Sequence, residues 1–388
     1  MKYLSKNIEE AGAAIRLSVF SAGSVDEVHA MLTLEPRDDM FADQLQRIKT
    51  AEAQLMQMPE LKGAQAVFKR YFLSDATNQV PAIQETDTCT ISYIQQPPLN
   101  GTKLAIWLYL QRGTDICNVN ESTVVTHNGY RHIWTMGLIN NTADTSYMQT
   151  WKTLFTYIDI LKMFNATLEA NCIRTWFFVR DVDTQYAGMV RARRENFVRE
   201  GLTPQTHYIA STGIGGGPAE TKALIQLGTY ALTGFQPEQQ QYLYAKTHLN
   251  PTYEYGVTFE RGTKMTYGDR SHIFISGTAS INNRGEVVHV GDIRLQTLRM
   301  WENVGALLRE GGMDFTDVMH LVVYLRDMAD YELVKEMYEE RFHDKPYVIV
   351  HAPVCRPGWL VEMECMAVKA ISNEAGPPIL SRKFRMTG

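Results

Sequence analysis

Two stretches of this chain repeat one another in order, and that repeat restricts the possible folds more than any other feature. The segment from His272, HIFISGTASINNRGEVVHVGDIRLQTLRMWENVGALLREGGMDFTDVMHLVVYLRDMADYELVKEMYEERF, can be laid over the one from His132, HIWTMGLINNTADTSYMQTWKTLFTYIDILKMFNATLEANCIRTWFFVRDVDTQYAGMVRARRENF. With one gap before the first helix, Gly277 meets Gly137, Gln296-Thr297 meet Gln149-Thr150, and Leu325-Arg326-Asp327 meet Val179-Arg180-Asp181. Phe342 then meets Phe197, and the closing segments LVEMECMAV and LIQLGTYAL set Glu362 opposite Gln226. A weaker third copy runs through IRLSVF, FADQLQRIKTAEAQLMQ, GAQAVFKRYFLSD (read as a strand and a helix) and TKLAIWLYL. Three units of about 129 residues each would account for the whole chain, a comfortable size for one domain.

Periodicity supplies the elements. In Leu298 to Leu308 the apolar residues Leu298, Trp301, Val304, Leu307 and Leu308 recur at three- and four-residue steps, which predicts an amphipathic helix. VMHLVVYL is a short, β-branched apolar run and predicts a buried strand, with Gly311-Gly312 as the helix stop between them. Each unit therefore reads as an α+β sandwich with two helices on one face of a sheet. The polar stretches RGTDICNVNES and GFQPEQQQ to HLNPT mark the junctions. We expect a degenerate N-terminal unit at 1–115, a middle unit at 116–245 and a C-terminal unit at 246–388. The tail NEAGPPILSRKFRMTG has little apolar periodicity and is expected to order only against a partner.

Composition removes several function classes. The net charge of −5 is spread out, without the Lys/Arg blocks that a phosphate backbone requires, so nucleic acid is not expected as a partner. MKYLSKNIEEAGAAIRL lacks the apolar centre of a signal peptide, and no apolar run approaches the roughly 20 residues of a membrane helix. A soluble, cytoplasmic protein is expected. Cys89, Cys117, Cys172, Cys355 and Cys365 form no CxxC pair and have no nearby His at metal-ligand spacing, so reduced thiols and no metal are expected.

The residues that can carry chemistry lie near the ends of the predicted strands. Glu362 and Glu364 alternate with Val361, Met363 and Cys365, so both carboxylates share one face of a strand. A buried acid there is either paired with an arginine or raised in pKa and available for proton transfer. The ion pair is the preferred reading for Glu364, and proton transfer for Glu362. Tyr186 and Arg193, seven apart, share a helix face, unless both are solvated members of an Arg-rich run. In ASTGIGGGPAE, Ser211, Thr212, Gly213 and the following glycines form either a small anion-holding nest or merely a tight loop; the GK[ST] ending of a P-loop is absent. Gly277, Thr278 and Ala279 end a strand and read equally as a pocket wall or a simple turn. Cys355 has no evident base beyond His351, four residues back, and reads as pocket lining, while Arg356 either binds substrate or secures Glu362.

In SGTASI, the YLRD strand end and VEMECMAV, the C-terminal unit resembles the RidA/YjgF family over about 120 residues. That resemblance implies a chorismate mutase-like α/β sandwich, trimeric in the family and here a pseudo-trimer within one chain, with sites between units. It also implies that Glu362 activates water for enamine or imine hydrolysis. The family's deaminating members place an arginine ahead of this glutamate; Val348-Ile349-Val350-His351 stand in that stretch here. The middle and last units together resemble the chorismatases in IASTGIGGG, YAGMVRARRENF, SGTASI and VCRPGWLVEME. This second resemblance implies a small anionic carboxylate substrate, chorismate or a close relative, held without a cofactor by Arg193, Arg356 and the Ser211 to Gly213 backbone. Glu362 would be the acid that lets pyruvate leave, and a cysteine at Cys355 is similar to the branch that makes 3-hydroxybenzoate. A RidA-like hydrolase of another small carboxylate and a non-catalytic binding protein stay open as alternatives. If one chain closes the ring of three units, a monomer suffices.

Overall fold

The computed structural model describes residues 1–86 and 88–371, so the tail expected to order against a partner lies outside the described residues. Three six-stranded mixed sheets follow one another along the chain. The first contains β1 (Lys2–Ile8), β2 (Ala13–Ala22), β3 (Val25–Leu34), β4 (Gln65–Leu73), β5 (Thr90–Gln95) and β6 (Leu104–Arg112), in the order β1-β2-β3-β6-β4-β5. The second contains β7 (Asp115–Val119), β8 (Ser122–His127), β9 (Tyr130–Ile139), β10 (Cys172–Val179), β11 (Ala210–Gly215) and β12 (Ile225–Thr233). The third contains β13 (Gln240–Leu243), β14 (Gly262–Tyr267), β15 (Arg270–Ala279), β16 (Val318–Leu325), β17 (Tyr347–His351) and β18 (Val361–Ala370). Their orders, β7-β8-β9-β12-β10-β11 and β13-β14-β15-β18-β16-β17 with the second read from the other end, repeat that of the first. In each, a three-stranded meander is joined through the late closing strand to a parallel pair.

Helices cover one face of each sheet: α1 (Phe41–Met56) and the single turn α2 (Ala76–Gln79) in the first, α3 (Ser146–Met163), the short α4 (Leu168–Asn171) and α5 (Val182–Arg199) in the second, α6 (Ile293–Glu310) and α7 (Tyr331–Phe342) in the third. The predicted helix, its Gly311 stop and the VMHLVVYL strand are all present. The α+β tandem-sandwich fold is as the repeat implied. One element differs. GAQAVFKRYFLSD contains only the strand β4, and the expected second helix of the first unit is reduced to α2 and a 3-10 turn over Val80–Ala82. Pro81 explains this, because it has no N–H to donate and its ring obstructs the preceding turn.

Registers make the repeat quantitative. A bulge interrupts β4 between Ala66 and Phe68, β10 between Cys172 and Arg174, and β16 between Val318 and His320. Counting from it, Phe72 pairs with Ala105, Phe178 with Gln226 and Tyr324 with Glu362. Ala105, Gln226 and Glu362 are thus equivalent, and two residues further on so are Trp107, Gly228 and Glu364.

The sheets turn their helix-free faces toward a common axis. β5 lies against β9, β11 against β15 and β17 against β3, closing a pseudo-threefold ring. Trp107, Trp134, Trp176, Tyr230 and Phe274 from all three sheets are buried together there. Some of the polar groups at the axis pair across units. Glu364 Oε2 accepts from Arg174 at 2.8 Å, Glu364 Oε1 accepts from Trp176 Nε1 at 2.8 Å and lies 3.6 Å from Arg70. Burial lowers the pKa of both arginines, opposed by the Glu364 charge. Glu27 of the first sheet is likewise ion-paired with Arg270 and hydrogen-bonded to His272, both of the third. A buried carboxylate with this many donors is tolerated because each lone pair finds a partner.

Candidate active site

Glu362 is 5% exposed and faces a cavity between the second and third units. Burial is the main cause that raises its carboxyl from 4.5 to about 8; the nearby Glu364 charge adds to the rise, and Arg174 and Arg261 oppose it. Both carboxylates do point to one face of β18, as alternation requires, yet their surroundings separate their roles. Glu364 is held in the axial ion-pair cluster, whereas Glu362 opens onto the cavity.

Of the residues picked out from sequence, Tyr186, Arg193, Ser211, Gly213, Gly277, Ala279, Cys355, Arg356 and Glu362 line this one cavity. They come from both units. α5 carries Tyr186 and Arg193, and Arg193 is the buried member of its Arg-rich run, its Nε donating to Thr258 Oγ1 at 3.1 Å. Gly277 leaves room for the Glu362 carboxyl, since a Cβ there would overlap its Oε1. At Cys355, burial chiefly, with the Glu362 charge, pushes the thiol up to about 12, and a hydrogen bond with Tyr186 acts against them. A thiol so hard to ionise is a poor nucleophile, in keeping with a lining role.

Three expectations are corrected. Thr212 does not line the cavity: its hydroxyl bonds Glu364 and Arg174 and accepts from the Gly277 N–H at 2.9 Å. Thr278 also turns away, donating to Ser276 O at 2.9 Å. The anion nest is not formed, because Ala210–Gly215 is a strand paired in parallel with β10. The N–H groups of Gly215, Gly216 and Gly217 go to Pro353, Val179 and Gln95, and that of Ser211 to Ser276 Oγ. Ser211 therefore lines the cavity without offering a free backbone donor.

Arg261, Phe259, Val257, Ile281 and Trp359 complete the lining and were not singled out from sequence. Arg261 immediately precedes β14, ahead of the point where the recognised repeat begins, so no motif marked it. Its guanidinium is anchored on Asn250 O at 3.1 Å. Arg356 stacks over Trp359, 5.2 Å from the ring centroid, and both side chains line the cavity. The site thus combines a protonatable acid with three guanidinium groups and a wall of aromatic and aliphatic side chains. Its volume is about 30 Å³, room for a water molecule or two. Among the described residues no cluster of His, Cys, Asp and Glu has the arrangement of a metal site, and no helix is long and apolar enough to cross a membrane.

Residues 265–369 match the family described as endoribonuclease L-PSP. A RutC family protein of Pyrococcus abyssi is 39% identical over 100 residues, 25% of this chain and 78% of that one. The 3-aminoacrylate deaminase RutC of Acinetobacter baylyi is 31% identical over 97 residues, 24% of this chain and 77% of that one. A chorismatase of Streptomyces rapamycinicus is 29% identical over 213 residues, 49% of this chain and 62% of that one. A solved chorismatase structure superposes with a TM-score of 0.62 at 19% identity, covering 80% of this chain and 96% of the other, a likeness of fold. Through its C-terminal unit the chain belongs to the endoribonuclease L-PSP, or RidA/YjgF, family, and its tandem units share the fold of a chorismatase.

Proposed function

We propose that the Glu362 cleft removes pyruvate from chorismate or a closely related enolpyruvyl carboxylate by acid catalysis, without a cofactor. The observation that carries this reading is a buried carboxyl with a pKa of about 8 set among Arg193, Arg261 and Arg356. At neutral pH about nine-tenths of such a group is protonated, which is what an acid for carbon protonation requires. The guanidinium groups orient the carboxylates. Glu362 then delivers its proton to the terminal methylene of the enol ether, leaving positive charge on the ether carbon. Water adds to that carbon, and the resulting hemiketal splits into pyruvate and the ring alcohol while a proton returns to Glu362. A ring-sized substrate exceeds the cavity, so the cleft must open to admit it. The chorismatase relative supports this reading, since it spans about half of the present chain.

A second reading is RidA-like hydrolysis of a short enamine carboxylate, which needs less opening of the cleft than a ring and for which the deaminase relative is the precedent. Its weakness is the family's substrate-gripping arginine: Val348 and Ile349 of the corresponding stretch line a different cleft, and β11, which faces Glu362, has none. Incubation with chorismate and coupled detection of pyruvate tests the first reading. Release that disappears in Glu362→Gln supports it. Absence of pyruvate, or an unchanged rate in that variant, overturns it, and turnover of 2-aminoacrylate in its place would establish the second.

A further inference from the structure

The pseudo-threefold ring has three clefts, and the strand registers allow them to be compared position by position. In the cleft between the first and second units Gln226 stands in the place of Glu362, and its Nε2 donates to Ser92 Oγ at 2.9 Å across the interface. Gly137 there packs directly beneath Ile91 O, so this cleft is closed by its own groups. The cleft between the third and first units is different: it holds an open cavity of about 300 Å³, larger than the one at Glu362.

The walls of that third cleft occupy the same positions as those of the candidate active site. Met31 pairs with Trp107 and Arg16 pairs with Met31, while on the third sheet Ser276 N donates to Arg261 O beside Glu364. Since Trp107 and Glu364 are equivalent, Arg16 occupies the place of Arg261. By the same count Tyr347 replaces Ser211, Ile349 replaces Gly213 and Thr33 replaces Ala279. Tyr331 and Lys335 of α7 lie where α5 contributes Tyr186. The acid has no counterpart, because Ala105 stands at the Glu362 position and is buried, and of the three guanidinium groups only that of Arg261 is matched, by Arg16.

We propose that this third cleft is a second ligand site, which binds a small planar monocarboxylate and cannot turn it over. Arg16 is half-buried, with its guanidinium 4.9 Å from the centre of the Tyr347 ring, and among the described residues no carboxylate is ion-paired with it. It supplies a fixed cation for one carboxylate, with the Tyr347 ring beside it. Met31, Val348 and Ile349 give the apolar floor for a flat body, and the volume suits a single ring. A dianion is disfavoured, because Glu332, already 3.5 Å from Lys335, and Glu339 stand in the same lining. The site stands on its own geometry and does not depend on what the Glu362 cleft does.

Calorimetric titration of the full chain with benzoate tests the proposal. Saturable binding is expected in the wild type and in Glu362→Gln alike. Arg16→Ala should weaken it by roughly tenfold or more, the loss of a charged hydrogen bond, and Arg16→Lys should restore part of it. Thr33→Met, which fills the floor from the neighbouring strand, should abolish binding without removing any charge and serves if Arg16→Ala does not fold. No saturable binding by the wild type would overturn the proposal. So would binding that survives Arg16→Ala and Thr33→Met but is lost in Glu362→Gln, since the ligand would then sit in the other cleft.

Discussion

At the scale of single residues, the strongest consequence concerns one proton. Glu362 titrates near 8 in the fold and near 4.5 when exposed, so the folded state keeps its proton over a range in which the unfolded chain has lost it. Its contribution to stability is complete below about 4.5, declines with rising pH, and is gone above about 8, a loss on the order of 5 kcal/mol. Glu362→Gln removes that dependence. Urea unfolding should show the variant gaining on the wild type between pH 5 and pH 9 by a few kcal/mol. The rate should follow the same group: turnover that needs the protonated acid falls as pH passes about 8, and a profile flat to pH 9 would exclude Glu362 as the donor. A second residue-scale prediction concerns Gly277→Ala, whose methyl group would displace the Glu362 carboxyl. We expect turnover to drop by about tenfold or more with the melting temperature little changed, because a misplaced acid costs rate before it costs fold.

At the scale of elements, the strands decide which groups are free to act and which are committed to structure. β11 is instructive because its sequence, ASTGIG, begins a glycine-rich stretch that reads as a loop and yet forms a strand, held by backbone pairing that composition does not advertise. Thr212 on that strand ties Glu364, Arg174 and the Gly277 N–H together. Thr212→Val should therefore cost about 1–3 kcal/mol in denaturant unfolding by leaving buried partners unmatched. Other elements were legible in advance. The Glu362/Gln226 equivalence could be read from the repeat because register is preserved once the β-bulge is. Arg261 could not, since it precedes the strand at which the recognisable repeat begins. Nor could the position of Val348 to His351: a repeat tells which residues are equivalent within a unit, but not which neighbour each edge strand faces. The shortened helix of the first unit was signalled by Pro81, whose effect the helical pattern of the other copies obscured.

At the scale of the whole molecule, the ring is held by buried charge as well as by aromatic packing. Glu364 draws Arg70 of the first sheet and Arg174 of the second onto the third, so one carboxylate bridges every unit. Glu364→Ala would strand two buried guanidinium groups and should destabilise the chain by about 3–5 kcal/mol, measured by chemical unfolding, whereas Glu364→Gln keeps part of the hydrogen bonding and should cost less. The same fusion has a further effect on how such a molecule can change. In a ring of identical subunits any substitution appears in every cleft at once, so a gain at one is imposed on the others. Here the position beside the axial strand is Arg16 in the first unit, Glu121 in the second and Arg261 in the third, each free to vary without altering its counterparts. Covalent linkage of the three units turns one symmetric site into three separately heritable ones.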